Sequence, residues 1–235
     1  NRPKPMVPIA NRPMLEHTIN LLKQHGFTDI IATLHYLPNN IKNHFQDGTQ
    51  LNTKITYLIE EKPLGTAGSV KNAEHLLNQT FIVFSGDVLT DINLTNAWNF
   101  HKKSGAIATI VLTRVPNPVD YGITITDENG RVKQFLEKPG WGEVFSDTIN
   151  SGIYILEPEA LKHVTPQAEF DFSRHLLPKL LEKGEPIYGH TADGYWTDIG
   201  NPIQYLQANQ DALQGLIKLK IPGRETDGIW IDKDA

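Results

Sequence analysis

Phe81-Ile82-Val83-Phe84-Ser85-Gly86-Asp87 is an apolar run of strand length that ends on a glycine and an acid. Four consecutive large apolar residues leave no polar face, so the run reads as a strand buried on both sides within a helix-covered sheet. In open α/β sheets ligands bind outside the carboxyl ends of the strands, and a glycine there lets a ligand approach the backbone. A carboxylate at that edge can hold Mg²⁺, a hard cation that takes one or two carboxylates together with phosphate oxygens. Asp87 also fits an ordinary turn or helix-capping acid.

Strand-like and helix-like segments alternate on both sides of this run. Upstream, Leu15, Ile19 and Leu22 recur at helical spacing and Gly26 supplies a stop. Residues 28–35 and 55–59 then read as strands, with helices over 39–45 and 66–77. Downstream come a helix over 94–103 and a second buried strand over 106–113. The pattern then changes. Residues 121–137 hold two alternating segments around Asp127-Glu128-Asn129-Gly130, a hairpin signal. A strand over 148–156 follows, then an apolar helix face of Phe172, Leu176, Leu177, Leu180 and Leu181 capped by Asp171, and a helix over 202–213. The expected class is α/β: a mostly parallel, Rossmann-like mixed sheet flanked by helices, with an antiparallel second half covering one side of a cleft.

Composition limits the function. The 235 residues are 39% hydrophobic and 21% charged, as in an ordinary folded domain. A formal net charge of -5 argues against a general basic surface, so nucleic acid is not an expected partner. The absence of cysteine excludes disulfides, thiol catalysis and cysteine-based metal sites. No apolar run approaches the ~20 residues of a membrane span, so no membrane partner is expected and the cytoplasm is the expected location. The chain opens at Asn1 in proline-rich, motif-like sequence without an initiator methionine, and reads as a fragment whose start lies upstream.

Three further stretches could carry chemistry. In Gly194-Tyr195-Trp196-Thr197-Asp198-Ile199-Gly200 an acid sits among apolar and aromatic neighbours, a costly place for a charge without a partner. Asp198 could complete a metal clamp with Asp87, or be a buried acid bonded to backbone amides. Leu64-Gly65-Thr66-Ala67-Gly68-Ser69 opens a helix with small residues, where exposed amides favour anions or polar ligand edges; it lacks the Gly-Lys-Ser/Thr ending of a P-loop. Glu60 and Glu61 precede it. A carboxylate only accepts hydrogen bonds, so it suits the N1–H and N2 amino group of guanine better than uracil, though both acids also fit a solvated strand end. Pro3-Lys4-Pro5 and Glu137-Lys138-Pro139 each place a lysine in extended backbone before proline, where it serves as a point charge for phosphate or as a solvated surface group.

Pro3-Lys4-Pro5-Met6, Leu64-Gly65-Thr66-Ala67-Gly68, Gly86-Asp87, Tyr121-Gly122, Glu137-Lys138-Pro139, Asn150-Ser151-Gly152 and Trp196-Thr197-Asp198-Ile199-Gly200 together resemble the sugar-phosphate nucleotidyltransferase family, in that family's order. The likeness covers residues 1 to about 213 and is greatest to the mannose-1-phosphate guanylyltransferase group. Residues 32–38 and 112–118 resemble bacterial members fused to a phosphomannomutase-like domain.

The resemblance implies an enzyme that condenses a nucleoside triphosphate, GTP favoured, with a sugar 1-phosphate, mannose 1-phosphate favoured, releasing pyrophosphate. UTP or ATP with glucose 1-phosphate stays open, as does a non-catalytic sugar-nucleotide sensor. A glycosyltransferase ranks lower, because Asp87-Val88-Leu89 lacks a second acid two residues on. By resemblance Lys4, Asp87, Lys138 and Asp198 are catalytic, with Asp87 and Asp198 holding Mg²⁺. Glu60, Gly65 and Thr66 bind the nucleotide, while Gly122, Glu137, Lys138, Asn150 and Trp196 bind the sugar phosphate in the antiparallel second half.

The family begins with a strand and an arginine-bearing glycine-rich loop ahead of the Pro3-Lys4-Pro5 stretch, and this chain carries neither. The expected domains are therefore 1–220, a nucleotidyltransferase domain short of that strand and loop, and 221–235, a linker and the start of a left-handed β-helix-like domain. Gly228-Ile229-Trp230-Ile231-Asp232-Lys233-Asp234-Ala235 resembles a first hexapeptide-repeat coil, and equally an ordinary terminal strand. A homo-oligomer through the absent C-terminal region is the expected assembly.

Overall fold

The computed structural model describes residues 2–119, 121–137, 146–226 and 229–231. Strands β1 (Pro8–Ile9) and β2 (Arg12–Pro13) pair across a turn in which Ala10 and Asn11 both take positive φ. Then come α1 (Met14–Gln24), β3 (Asp29–Leu34), α2 (Pro38–Phe45), β4 (Lys54–Ile59) and α3 (Gly65–Asn72). The central stretch is β5 (Phe81–Phe84), β6 (Val88–Thr90), α4 (Leu94–Ser104), β7 (Ala108–Arg114), β8 (Gly122–Thr126), β9 (Val132–Glu137) and β10 (Thr148–Leu156). A π-helical turn (Phe172–Leu176) runs into α5 (Leu177–Glu182). Last come β11 (Ile187–Thr191), β12 (Trp196–Asp198), α6 (Pro202–Leu213), β13 (Arg224–Thr226) and β14 (Ile229–Ile231).

β10 is the centre of a six-stranded mixed sheet. Its side chains alternate strictly: Tyr154 and Leu156 enter a core with Ala108, Ile110 and Leu112 of β7, while Ile153 and Ile155 join Val111 on the opposite face. The first face is covered by Ala67 of α3, Phe172 and Leu176 of the π turn, and Leu177 and Leu180 of α5. The second is covered by Leu21 and Leu22 of α1 and by Leu94 and Ala97 of α4. The α/β class with a mixed sheet between helical layers is as expected from the sequence.

Strand direction departs from the mostly parallel expectation. β11 with β7 is the parallel pair of the main sheet, and β3 with β4 forms a separate parallel pair. β10 runs antiparallel to β5, β7 and β8, and β8 antiparallel to β9. β5, β7 and β11 do point the same way, but β10 inserts itself between β5 and β7. Double-sided burial marks an interior strand without fixing its direction, and that is why the parallel expectation failed. Residues 81–84 are also only half-buried, since β5 has a ladder partner on one edge among the described residues.

Along one edge β10 pairs first with β5, through Ile153–Leu156, and then with β8, through Ile149. The β10–β7 register slips between Asn150 and Ile153, where Gly152 has φ +76° and a Cβ would lie 3.1 Å from the Ser85 Cβ. This bulge splits the sheet. The sheet parts there, between the carboxyl end of β5 and the start of β8.

Asp171, expected to cap the helix that follows it, makes no such cap; its Oδ1 accepts from the backbone N–H and hydroxyl of Thr66 on α3. β13 and β14 pair antiparallel, and residues 228 and 232–235 of the expected β-helix coil lie outside the described residues. Among the described residues no helix is long and apolar enough to cross a membrane.

Candidate active site

Asp87 follows β5 at its carboxyl end, and the chain turns directly into β6. Its Oδ2 lies 2.8 Å from the Lys4 ammonium and its Oδ1 accepts from the Ser85 hydroxyl at 2.6 Å. Burial pushes the Asp87 carboxyl up, but the hydrogen bonds from Lys4 and Ser85, with the charge of Lys4, outweigh it and hold the pKa below its ordinary value. The group is therefore a carboxylate at neutral pH. The structure brings Lys4 and Asp87, both picked out from sequence, into direct contact.

Asp198 reaches the same edge from the far end of the chain. β12 pairs with β6 so that Asp198 stands opposite Val88, and the Ile199 N–H donates to the Asp87 carbonyl at 3.0 Å. The two acids are thus held one ladder step apart by backbone bonds. Asp198 Oδ1 accepts from the Tyr121 hydroxyl at 3.0 Å and from Gln204 Nε2 at 2.9 Å, so its partners are side chains rather than backbone amides. A Cβ on Gly200 would stand 2.8 Å from Asp198 Oδ2 and from Gln204 Oε1, so a larger residue there would displace these side-chain ends.

Trp196 lies beside this acid. Its indole N–H donates to the Ser151 carbonyl at 2.9 Å, and its ring meets Tyr121 edge-to-face at 5.5 Å. Asn150, at the bulge, donates from Nδ2 to the Tyr154 hydroxyl at 2.8 Å and to Ser173 at 3.3 Å, while its Oδ1 accepts from the Gly152 N–H. Gly122 and Asn150 line a cavity of about 270 Å³ with Phe135, Ser173 and Arg174. A second cavity of about 320 Å³ is lined by Thr66, Tyr154, Asp171, Ser173 and Arg174. Asp87, Asp198 and Glu60 line neither. Glu137 ends β9, and Lys138 lies outside the described residues.

The glycine-rich turn behaves differently from its sequence reading. Gly65 has φ +70°, and a Cβ there would sit 2.8 Å from the Phe170 carbonyl oxygen. That oxygen accepts the N–H groups of both Ala67 and Gly68 at 2.8 Å, and Asp171 takes the N–H of Thr66. The amides expected to face a ligand are thus largely bound to the 170–171 segment. Glu60 is buried, its carbonyl accepts from His35 Nδ1 at 2.9 Å, and its Oε1 has no hydrogen-bond partner among the described residues. A buried, unpartnered carboxylate oxygen is costly, and a ligand donor would satisfy it.

Among the described residues no group of three or more His, Asp or Glu could hold a metal. A cation at this edge would rest on Asp87 and Asp198 with the remaining oxygens from phosphates, a donor set that suits Mg²⁺. Lys4 already puts a positive group on Asp87 Oδ2, so that oxygen faces a place where a cation fits. Ser85, Tyr121 and Gln204, which orient the two acids, were not read as site residues from sequence. Ser85 had a local signal, two residues before Asp87 at the strand end; Gln204 had none.

The fold and this edge define an α/β protein whose acids and lysine stand at the carboxyl end of a sheet strand, where ligands bind in such sheets. The chain matches the nucleotidyl transferase family over residues 1–215 and belongs to it. It is 39% identical over 238 residues to a UTP–glucose-1-phosphate uridylyltransferase of Synechocystis sp., with 95% of this chain and 61% of that protein covered. It is 36% identical over 216 residues to a mannose-1-phosphate guanylyltransferase of Mycobacterium tuberculosis, with 91% and 60% covered. The chain thus spans about three fifths of the length of these curated relatives. It also superposes on the crystal structure of HddC from Yersinia pseudotuberculosis complexed with GMP-PN, with a TM-score of 0.76 and 29% identity, covering 90% of this chain and 91% of that one.

Proposed function

We propose that this chain is the catalytic domain of a sugar-1-phosphate nucleotidyltransferase, condensing a nucleoside triphosphate with a sugar 1-phosphate to an NDP-sugar and pyrophosphate. The observation that carries this reading is the Lys4–Asp87 ion pair at the carboxyl end of β5, with the backbone of Asp198 held one ladder step away and the sheet parting beside Gly122 and Asn150.

A phosphate oxygen of the sugar 1-phosphate bonds to the α-phosphorus. The bond from that phosphorus to the bridging oxygen breaks, and pyrophosphate leaves with the electron pair. Both reactants are anions, and two unit charges ~4 Å apart repel by about 4 kcal/mol at an effective dielectric near 20. The attacking phosphate is already ionised, so the chain supplies alignment and charge balance rather than a nucleophile or base. Asp87 and Asp198 would hold Mg²⁺, which when bound offsets phosphate charge as a Lewis acid. Lys4 neutralises the triphosphate beside them, and Lys138 orients the attacking phosphate. Gly122, Glu137, Asn150 and Trp196 hold the sugar, while Glu60 and the Gly65 backbone hold the nucleoside.

GTP with mannose 1-phosphate is the favoured pair. The free Oε1 of buried Glu60 supports guanine, whose N1–H and N2 amino group offer two adjacent donors where uracil offers one. UTP with glucose 1-phosphate is the second reading, favoured by the 39% identity to the uridylyltransferase. Pyrophosphate release by the complete protein, over a panel of nucleoside triphosphates and sugar 1-phosphates, separates them. Greatest turnover with GTP and mannose 1-phosphate is expected. Greater turnover with UTP and glucose 1-phosphate selects the second reading, and no release with any pair refutes the activity.

A further inference from the structure

Ser173 and Arg174 lie in the π-helical turn Phe172–Leu176, where the sequence pattern predicts ordinary α-helix. Single π turns recur at functional sites because the wider turn re-aims side chains. Here Phe172 and Leu176 are fully buried and fix the turn, Phe172 stacking on Tyr154 at 4.3 Å. Ser173 and Arg174 then line both cavities. Ser173 also accepts from Asn150 Nδ2 at 3.3 Å, which ties the turn to the bulge of β10.

Arg174 is the one charged side chain among the described residues lining the first cavity, whose other walls include Phe135, Leu136, Leu177 and Pro178. Among the described residues its guanidinium has no hydrogen bond or ion pair. Asp171, the acid of the second cavity, is instead taken by Thr66. A planar guanidinium carries only donors and matches phosphate oxygens in a two-pronged geometry. Apolar walls beside it weaken screening by water, so an anion there gains more than on an open surface. Asp171 repels anions on its own side, leaving the side of Gly122 and Asn150 for the negative group.

We propose that Arg174 is a specificity-determining residue of the acceptor pocket and binds the phosphate of the sugar 1-phosphate, with Ser173 holding the turn against Asn150. This assignment rests on the nucleotidyltransferase reading above and adds a residue outside the motifs that define it.

The test uses the complete protein with Arg174→Gln and Arg174→Lys, scored by pyrophosphate release and by calorimetric binding of mannose 1-phosphate and of mannose. Loss of a charge-assisted contact predicts a rise of roughly tenfold or more in KM for the sugar 1-phosphate in Arg174→Gln, with KM for GTP within about twofold. Arg174→Lys recovers part of the loss. Binding of mannose 1-phosphate weakens by a similar factor while binding of mannose stays unchanged, and the thermal midpoint does not move. An unaltered KM, an equal rise for both substrates, or equal weakening of mannose and mannose 1-phosphate overturns the assignment. If the wild type releases no pyrophosphate with any substrate pair, the catalytic reading fails by itself. Calorimetry then decides on Arg174 alone: selective loss of mannose 1-phosphate binding supports it, and no such loss, or no wild-type binding, overturns it.

Discussion

The ammonium of Lys4 lies 2.8 Å from the Asp87 carboxylate, although 83 positions separate them in sequence. The pair joins the proline-constrained entry of the chain to the end of β5, and each side chain keeps about two fifths of its surface exposed, 40% and 39%.

An ion pair so exposed contributes little to stability, about 0–1 kcal/mol. Lys4→Met should therefore leave the thermal midpoint almost unchanged while lowering pyrophosphate release by roughly a hundredfold or more, the scale for removing a group that stabilises transition-state charge. A large fall in the midpoint with activity kept would make Lys4 a structural residue.

Tyr121 and Gln204 share the task of orienting Asp198 Oδ1. Tyr121→Phe removes one of two donors and keeps the ring against Trp196, so turnover should fall by about tenfold, the worth of one hydrogen bond to a charged group. Asp198→Asn should cost far more. Steady-state kinetics on both variants checks the order, and equal losses would mean that Tyr121 does more than orient.

Gly65 and Gly105 both take positive φ, +70° and +65°, but a Cβ meets the Phe170 backbone only at Gly65; at Gly105 nothing lies within 4 Å. Gly105→Ala should cost about 1–2 kcal/mol from backbone strain alone. Gly65→Ala should cost more, because Phe170 must also move and weaken its bonds to the start of α3. Urea unfolding measures both, and equal costs would remove the close packing from the account.

His101 is buried, bonded to Thr109 through Nδ1 and to Glu157 through Nε2. Burial lowers its pKa below 6.5, with Glu157 opposing only in part. The unfolded chain therefore binds a proton near pH 6.5 that the folded chain resists. The stabilising contribution is full above that pH and is lost as the pH falls through the lower folded value. Chemical unfolding at pH 7.5 and 5.5 should show stability dropping in acid, with a smaller drop in His101→Gln. An equal drop in the variant would assign the effect to other groups.

Local pattern carried the elements whose signals are local. The strand at Thr148–Leu156 and the helix at Pro202–Leu213 appear with the bounds read from sequence. Asp87 and Asp198 could be singled out because an acid at a strand end or among aromatic neighbours is costly without a task. Strand direction was not legible, because β10 owes its place between β5 and β7 to pairing across distant segments. The same holds for Asp171, whose partner is Thr66 on α3 rather than its own helix, and for the π turn that aims Arg174. Their roles depend on which surfaces meet, information spread over the chain rather than held in any one stretch.

Binding of Mn²⁺ in place of Mg²⁺, followed by electron paramagnetic resonance on the complete protein with GTP, tests the metal edge most directly. The account predicts one protein-dependent site that weakens roughly tenfold or more in both Asp87→Asn and Asp198→Asn, since each removes one of two carboxylate ligands. Undiminished Mn²⁺ binding in either variant, with secondary structure intact, would contradict the claim that these two acids share one cation.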